Sequence, residues 1–196
     1  MKHTVDNAGS SAVLERNEDK FGSGKSGADK QEMQKKVEAA GTPGPAHKAL
    51  EALAGNWNAE VKCWMEPGGP PQVSQGTAKT TWILRGRFLE EEFHGEMMGK
   101  PFTGRSLMGY DNIRQTFNTV WVSDMQTSMF TSEGKGENGN QVITLEGKSS
   151  CPATGRKDVP IKTVFRVISP DKHIFEMFDE SRGENAKTME ITYTRQ

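Results

Sequence analysis

The chain has 196 residues, 33% of them hydrophobic, with a mean hydropathy of −0.71 and a formal net charge of −1. That length suits one domain of ordinary size plus a tail, and the low hydropathy puts part of the chain outside any core. The balanced charge argues against a nucleic-acid surface, which needs a basic excess or stripe, and no apolar run approaches the roughly 20 residues that cross a bilayer.

Residues 1 to 30 are rich in Gly, Ser, Asn, Asp and Lys. A stretch this polar cannot offset its ordering entropy by burial, so a disordered tail is expected. It opens without an apolar signal-peptide core, which makes the cytoplasm the expected location. Gly22-Ser23-Gly24-Lys25-Ser26 echoes a phosphate-binding loop, but Asp19 stands where the first glycine belongs and no apolar strand precedes it.

Residues 31 to 54 read as short helices. Met33, Val37 and Ala40 recur at helical spacing, and Gly41-Thr42-Pro43-Gly44-Pro45 ends that run. Ala49, Leu50 and Leu53 form one side of a second helix, from Ala46 to Leu53, with Gly55 beyond its end. This helix is expected to close one end of the β region.

Residues 55 to 196 read as strands. Trp57, Ala59, Val61 and Cys63 alternate with Asn58, Glu60 and Lys62. The next runs are Val73 to Leu84, Arg87 to Met97, Pro101 to Tyr110 and Gln115 to Asp124. Thr127 to Lys135 comes next and leads to Asn138-Gly139, the strongest hairpin signal in the chain. Gln141 to Ser149, Val159 to Ile168, His173 to Asp179 and Ala186 to Arg195 complete about ten strands. With short turns and no interleaved helices, the pattern predicts an all-β fold. Closure removes the two exposed edges of so long a sheet, which favours a closed antiparallel up-and-down barrel.

Four blocks carry a family resemblance. They are His47 to Leu53 with Gly55-Asn56-Trp57 after it, Gly86-Arg87-Phe88-Leu89, Gly109-Tyr110-Asp111-Asn112, and Lys187 to Arg195. In this order they resemble the DUF1579 family, over roughly residues 33 to 195. The resemblance implies a lipocalin-like, or calycin-like, barrel and no established activity. The family pattern has Trp-x-Asp and then a glycine in the fifth strand. Here Trp121-Val122-Ser123-Asp124 puts the acid one residue later, which would turn it to the other face. The resemblance also makes the first and last strands neighbours, so Trp57 and Arg195 are expected to stack as a structural closure, worth about 0.5–2 kcal/mol.

A barrel of this size can hold one small ligand. Glu92, Tyr110, Trp121, Glu176 and Glu190 are the candidate polar lining residues, with Arg87, Arg105 and Arg166 as partners for the acids. A buried carboxylate needs such a partner or takes a raised pKa. The bland alternative puts these acids in water on the outer wall. His3, His47, His94 and His173 show no metal-binding spacing. A related calycin group holds haem through a histidine, but no matching motif surrounds any of the four, and the cofactor stays open. Ser106 and Ser123 lack a nucleophile-elbow context. Cys63 and Cys151 are too few for a disulfide framework and read as thiols, Cys63 on the apolar face.

The residues support three readings. The first is a barrel that binds a small apolar or amphipathic ligand among Trp121, Tyr110 and methionines. The second is an enzyme using a barrel carboxylate as acid or base. The third is a structural module whose outer wall forms a homodimer.

Overall fold

The computed structural model describes residues 27–151, 154–183 and 186–196. The tail through residue 26, with its Gly-Lys-Ser echo, lies outside the described residues. The chain divides into a unit through Ala40 and a unit from Gly41 to Gln196. Helix α1, Gly27–Gly41, opens inside the stretch read as tail. None of its residues is buried; local pairs such as Lys36–Glu32 at 2.7 Å lie along it.

The second unit opens with α2, Pro45–Ala49, continued by a 3-10 turn over Leu50–Leu53. Pro45 occupies the first turn, where a helix needs no N–H from it. The Gly44 N–H donates to His47 Nδ1 at 3.1 Å. Leu50 and Leu53 are buried against Leu89, Met108, Phe117, Ile143 and Leu145, so this short helix caps one end of the sheet with its apolar side.

Ten strands complete the unit. They are β1 Gly55–Cys63, β2 Gln72–Ile83, β3 Phe88–Met97, β4 Lys100–Asp111, β5 Thr116–Ser123, β6 Gln126–Glu137, β7 Val142–Cys151, β8 Arg156–Ser169, β9 Lys172–Asp179 and β10 Lys187–Arg195. Each pairs antiparallel with the next, and β10 pairs with β1, closing the barrel. The turns explain the simple meander. Asn138 and Gly139 both have positive φ, 51° and 67°, the turn whose twist matches a hairpin. The closing register sets Trp57 opposite Arg195 and Val61 opposite Ile191. Cys63 on β1 and Cys151 on β7 lie on strands that do not adjoin and form no disulfide with each other. No helix among the described residues is long and apolar enough to cross a membrane.

Alternation settles the inward face. Trp57, Ala59, Ala78, Phe93, Ile191 and Tyr193 form a second buried cluster, running away from the cap. Where two large inward rings would collide, the neighbouring strand supplies glycine. The Trp121 indole lies over Gly104, and a Cβ there would overlap the ring. Gly104→Val is therefore expected to expel the indole and cost about 1–3 kcal/mol, as overpacking does. A urea midpoint unchanged from wild type would contradict that packing.

Candidate functional site

The two apolar clusters are separated inside the barrel by a band of polar side chains. On β3, Leu89 belongs to the capped cluster and Phe93 to the other; Glu91 projects inward between them. Its cross-strand neighbours are Thr80 on β2 and Ser106 on β4, both on the same inner face. The Thr80 hydroxyl donates to Glu91 Oε2 at 3.4 Å. Further round, Thr119 on β5 and Ser132 on β6 share a 2.7 Å hydrogen bond. Thr163 on β8 is 1% exposed, and among the described residues its hydroxyl has no partner.

Glu91 is the electrostatic centre of this band. Burial pushes its pKa from 4.5 up to about 7, and the Thr80 hydrogen bond offsets only part of that. The side chain is nonetheless only half-buried by accessible surface, as are Ser106, Thr119 and Trp121 beyond it. On the opposite side, Trp57, Ala59, Ala78 and Tyr193 are packed shut. The lumen is thus fully buried along β1, β2 and β10, whereas the inward side of β3 to β5 carries part-exposed residues.

The solid side is an aromatic stack. Arg195 Cζ sits 4.2 Å from the centroid of the Trp57 ring. The His173 ring meets Trp57 edge-on at 4.4 Å and lies flat on Tyr193 at 4.3 Å and 14°. Burial, helped by the Arg195 charge, drives the His173 pKa down to about 3, so this imidazole is neutral. Among the described residues its Nδ1 has no partner. Tyr193 is held well above the ordinary phenol range by burial and then by the Glu91 carboxylate. That coupling ties the stack to the acid across the lumen.

Of the five residues nominated from sequence, Tyr110 and Trp121 face inward. Tyr110 lies under the cap, edge-on to Phe117 at 4.9 Å, and borders a surface pocket of about 230 Å³ with Arg114 and Asn140. Trp121 packs against Phe93, ring centroids 6.4 Å apart. The three acids require correction: Glu92, Glu176 and Glu190 face outward. Glu92 shares a side of β3 with Glu90 and His94; the His94 hydrogen bond and then the Arg105 charge hold its pKa low. Glu176 and Glu190 belong to an outer ladder. Arg166 meets Glu176 at 2.7 Å, and Lys187 bridges Glu176 and Glu190 at 2.6 Å each. Burial raises the Glu176 pKa, but Lys187 and Arg166 outweigh it and hold the group ionised. Asp124 lies in the turn just past the end of β5, beyond a break in register between Trp121 and Ser123, and accepts from the Thr103 N–H at 3.1 Å.

The signal for Glu91 was present in the alternation. Leu89 and Phe93 mark the inward side of β3, and Glu91 is the one member of Glu90-Glu91-Glu92 that shares it.

The chain matches no curated protein. The barrel is similar to that in the crystal structure of Rv2717c from M. tuberculosis, with a TM-score of 0.57 and 17% identity, covering 79% of this chain and 99% of that one. At that identity the likeness speaks for the fold alone. The model of the family described as "Protein of unknown function (DUF1579)" matches residues 42–195, from just before the capping helix through the strand that closes the barrel on Trp57. With the capping helix and all ten strands inside that match, the chain belongs to the DUF1579 family.

Proposed function

We propose that the barrel binds one small amphipathic molecule in its lumen. The polar end sits at Glu91, Thr80 and Ser106, and the apolar part runs along Phe93 and Trp121 toward the end away from the cap. The observation that carries this reading is Glu91. A carboxyl group between two apolar clusters, still part-exposed, is costly to the fold and suits a polar contact with a guest. The unpartnered Thr163 hydroxyl on the inner face of β8 supports it, since a buried hydroxyl calls for a partner.

The test is titration with N-phenyl-1-naphthylamine, an uncharged probe that brightens in apolar surroundings. The expected result is saturable binding at one site, lost in Ser106→Leu and Thr119→Leu, whose side chains fill the space, and kept in Glu92→Gln, which alters only the outer wall. Far-UV circular dichroism identifies which blocking variant folds, and either one suffices. No brightening with wild type, or equal brightening with a folded blocking variant, overturns the reading.

A second reading rests on the same residue. A carboxyl group titrating near neutrality suits a general acid or base. It predicts mass changes in a metabolite extract incubated with wild type that are absent with Glu91→Gln. Identical extracts would dismiss it.

A further inference from the structure

Midway along the lumen, the described residues offer one acid, Glu91, and no base to meet it; Asp179, the other acid on the inner face, stands at the far end of β9 and is held by Arg182 at 3.0 Å and Arg156 at 4.0 Å. Among the described residues, Glu91 takes its hydrogen bond from Thr80, a neutral hydroxyl. Its neighbour on the other side, Ser106, is neutral too. Lys79 and Arg105, on the flanking strands, point to the outer face, where Arg105 serves Glu90 and Glu92. Across the lumen stand Tyr193 and His173, both uncharged. Arg195 is committed elsewhere: it covers Trp57 and donates to the carbonyls of Ala54, at 3.1 Å, and Pro170, at 2.7 Å. The next inward side chain along β3 is Phe93, with Phe102 and Trp121 against it at 5.6 and 6.4 Å.

A lone carboxylate beside aromatic faces and hydroxyl oxygens is complementary to an ammonium group. The carboxylate supplies the counter-charge, hydroxyl oxygens accept the remaining N–H donors, and ring faces favour the cation and its adjoining carbons. A ligand carboxylate or phosphate would meet like charge with no base to relieve it.

We propose that the lumen selects a lipophilic amine, its protonated nitrogen paired with Glu91 and hydrogen-bonded to Ser106 and Thr80, and its apolar chain laid along Phe93 and Trp121. This rests on the lumen-binding reading above and specifies its ligand class. The unpartnered Thr163 hydroxyl, on the inner face of β8, is an independent sign that the polar band accommodates a guest.

The test compares octylamine, octanol and octanoate, equal in chain length, by isothermal titration calorimetry on the full chain at about pH 8. Octylamine is expected to bind about tenfold or more tighter than octanol, and octanoate weakest. Glu91→Gln, which keeps shape and removes charge, is expected to reduce octylamine to the level of octanol while octanol binding stays. At about pH 5.5 the wild-type preference should shrink, because Glu91, with its pKa near 7, takes up a proton. His173 and Tyr193 stay neutral across that interval. If octanol binds as well as octylamine, or the preference survives in Glu91→Gln, the amine assignment falls and the lumen reading stands. If none of the three binds, both fall.

Discussion

Glu91→Gln is expected to stabilise the barrel at pH 8 by up to about 3 kcal/mol and to have little effect at about pH 3, where the acid is neutral in both states. Burial raises the folded-state pKa from 4.5 to about 7. Between those values the folded chain holds a proton that the unfolded chain has released. Wild-type stability therefore falls as pH rises through that window, by about 1.4 kcal/mol per pH unit at most, and levels off above it. The ordinary acid behaves oppositely: Glu176, held low by Lys187 and Arg166, contributes stability that is lost as pH falls. Urea unfolding of both proteins at several pH values isolates the Glu91 contribution, because the other carboxylates cancel in the difference. Parallel curves across the window would mean that Glu91 is not enclosed as described. An acid that weakens its own fold at neutral pH is what a site with a function beyond packing would show.

Trp57→Ala is expected to be the most damaging single truncation, about 4 kcal/mol, against a total of roughly 5–15 kcal/mol for a domain. Trp57 is fully buried and its indole N–H donates to the Leu53 carbonyl at 3.0 Å. The ring thereby ties the capping turn to β1 while carrying Arg195 on one contact and His173 on another. Truncation leaves a void, strands a carbonyl and uncovers a guanidinium in one step. Trp57→Phe keeps much of the area but loses the N–H, and is expected to cost less. Thermal melts monitored by circular dichroism give the order. A Trp57→Ala protein melting within a few degrees of wild type would show that the seam holds without it.

The strands were legible because a half-buried strand writes its environment at every second residue. The turns were legible where Gly or Asn supplies positive φ, as at Asn138-Gly139. The stacking of Arg195 on Trp57 came from the family resemblance rather than from periodicity. The lumen was harder, and differently so from strand to strand. On β3 the alternation favours Glu91, but three consecutive glutamates invite a choice by chemistry instead of by side. On β9, Phe175 and Met177 face in while Ile174 and Phe178 face out, so both sides are apolar and the sequence leaves Glu176 undecided. On β10, Met189, Ile191 and Tyr193 already turn Glu190 outward. The Glu176–Lys187–Glu190 ladder joins residues on adjacent strands, and only the pairing register brings them together. The capping helix was visible in Leu50 and Leu53, whereas the polar band depends on how ten strands stagger, which no single run records.

The seam between β1 and β10 also bears on the order of folding. Nine of the ten pairings join consecutive strands and form locally, but the tenth joins Trp57 to Arg195 across nearly the whole second unit. That contact carries the largest loop-closure entropy and is expected to form last. During synthesis the chain would therefore stand as an open sheet with two bare edges until β10 emerges. In that interval β1 could pair with a strand of another molecule. Arg195, at the end of the last strand, thus guards assembly as well as the finished barrel: a chain stopped before β10 would keep its hairpins and lose its closure.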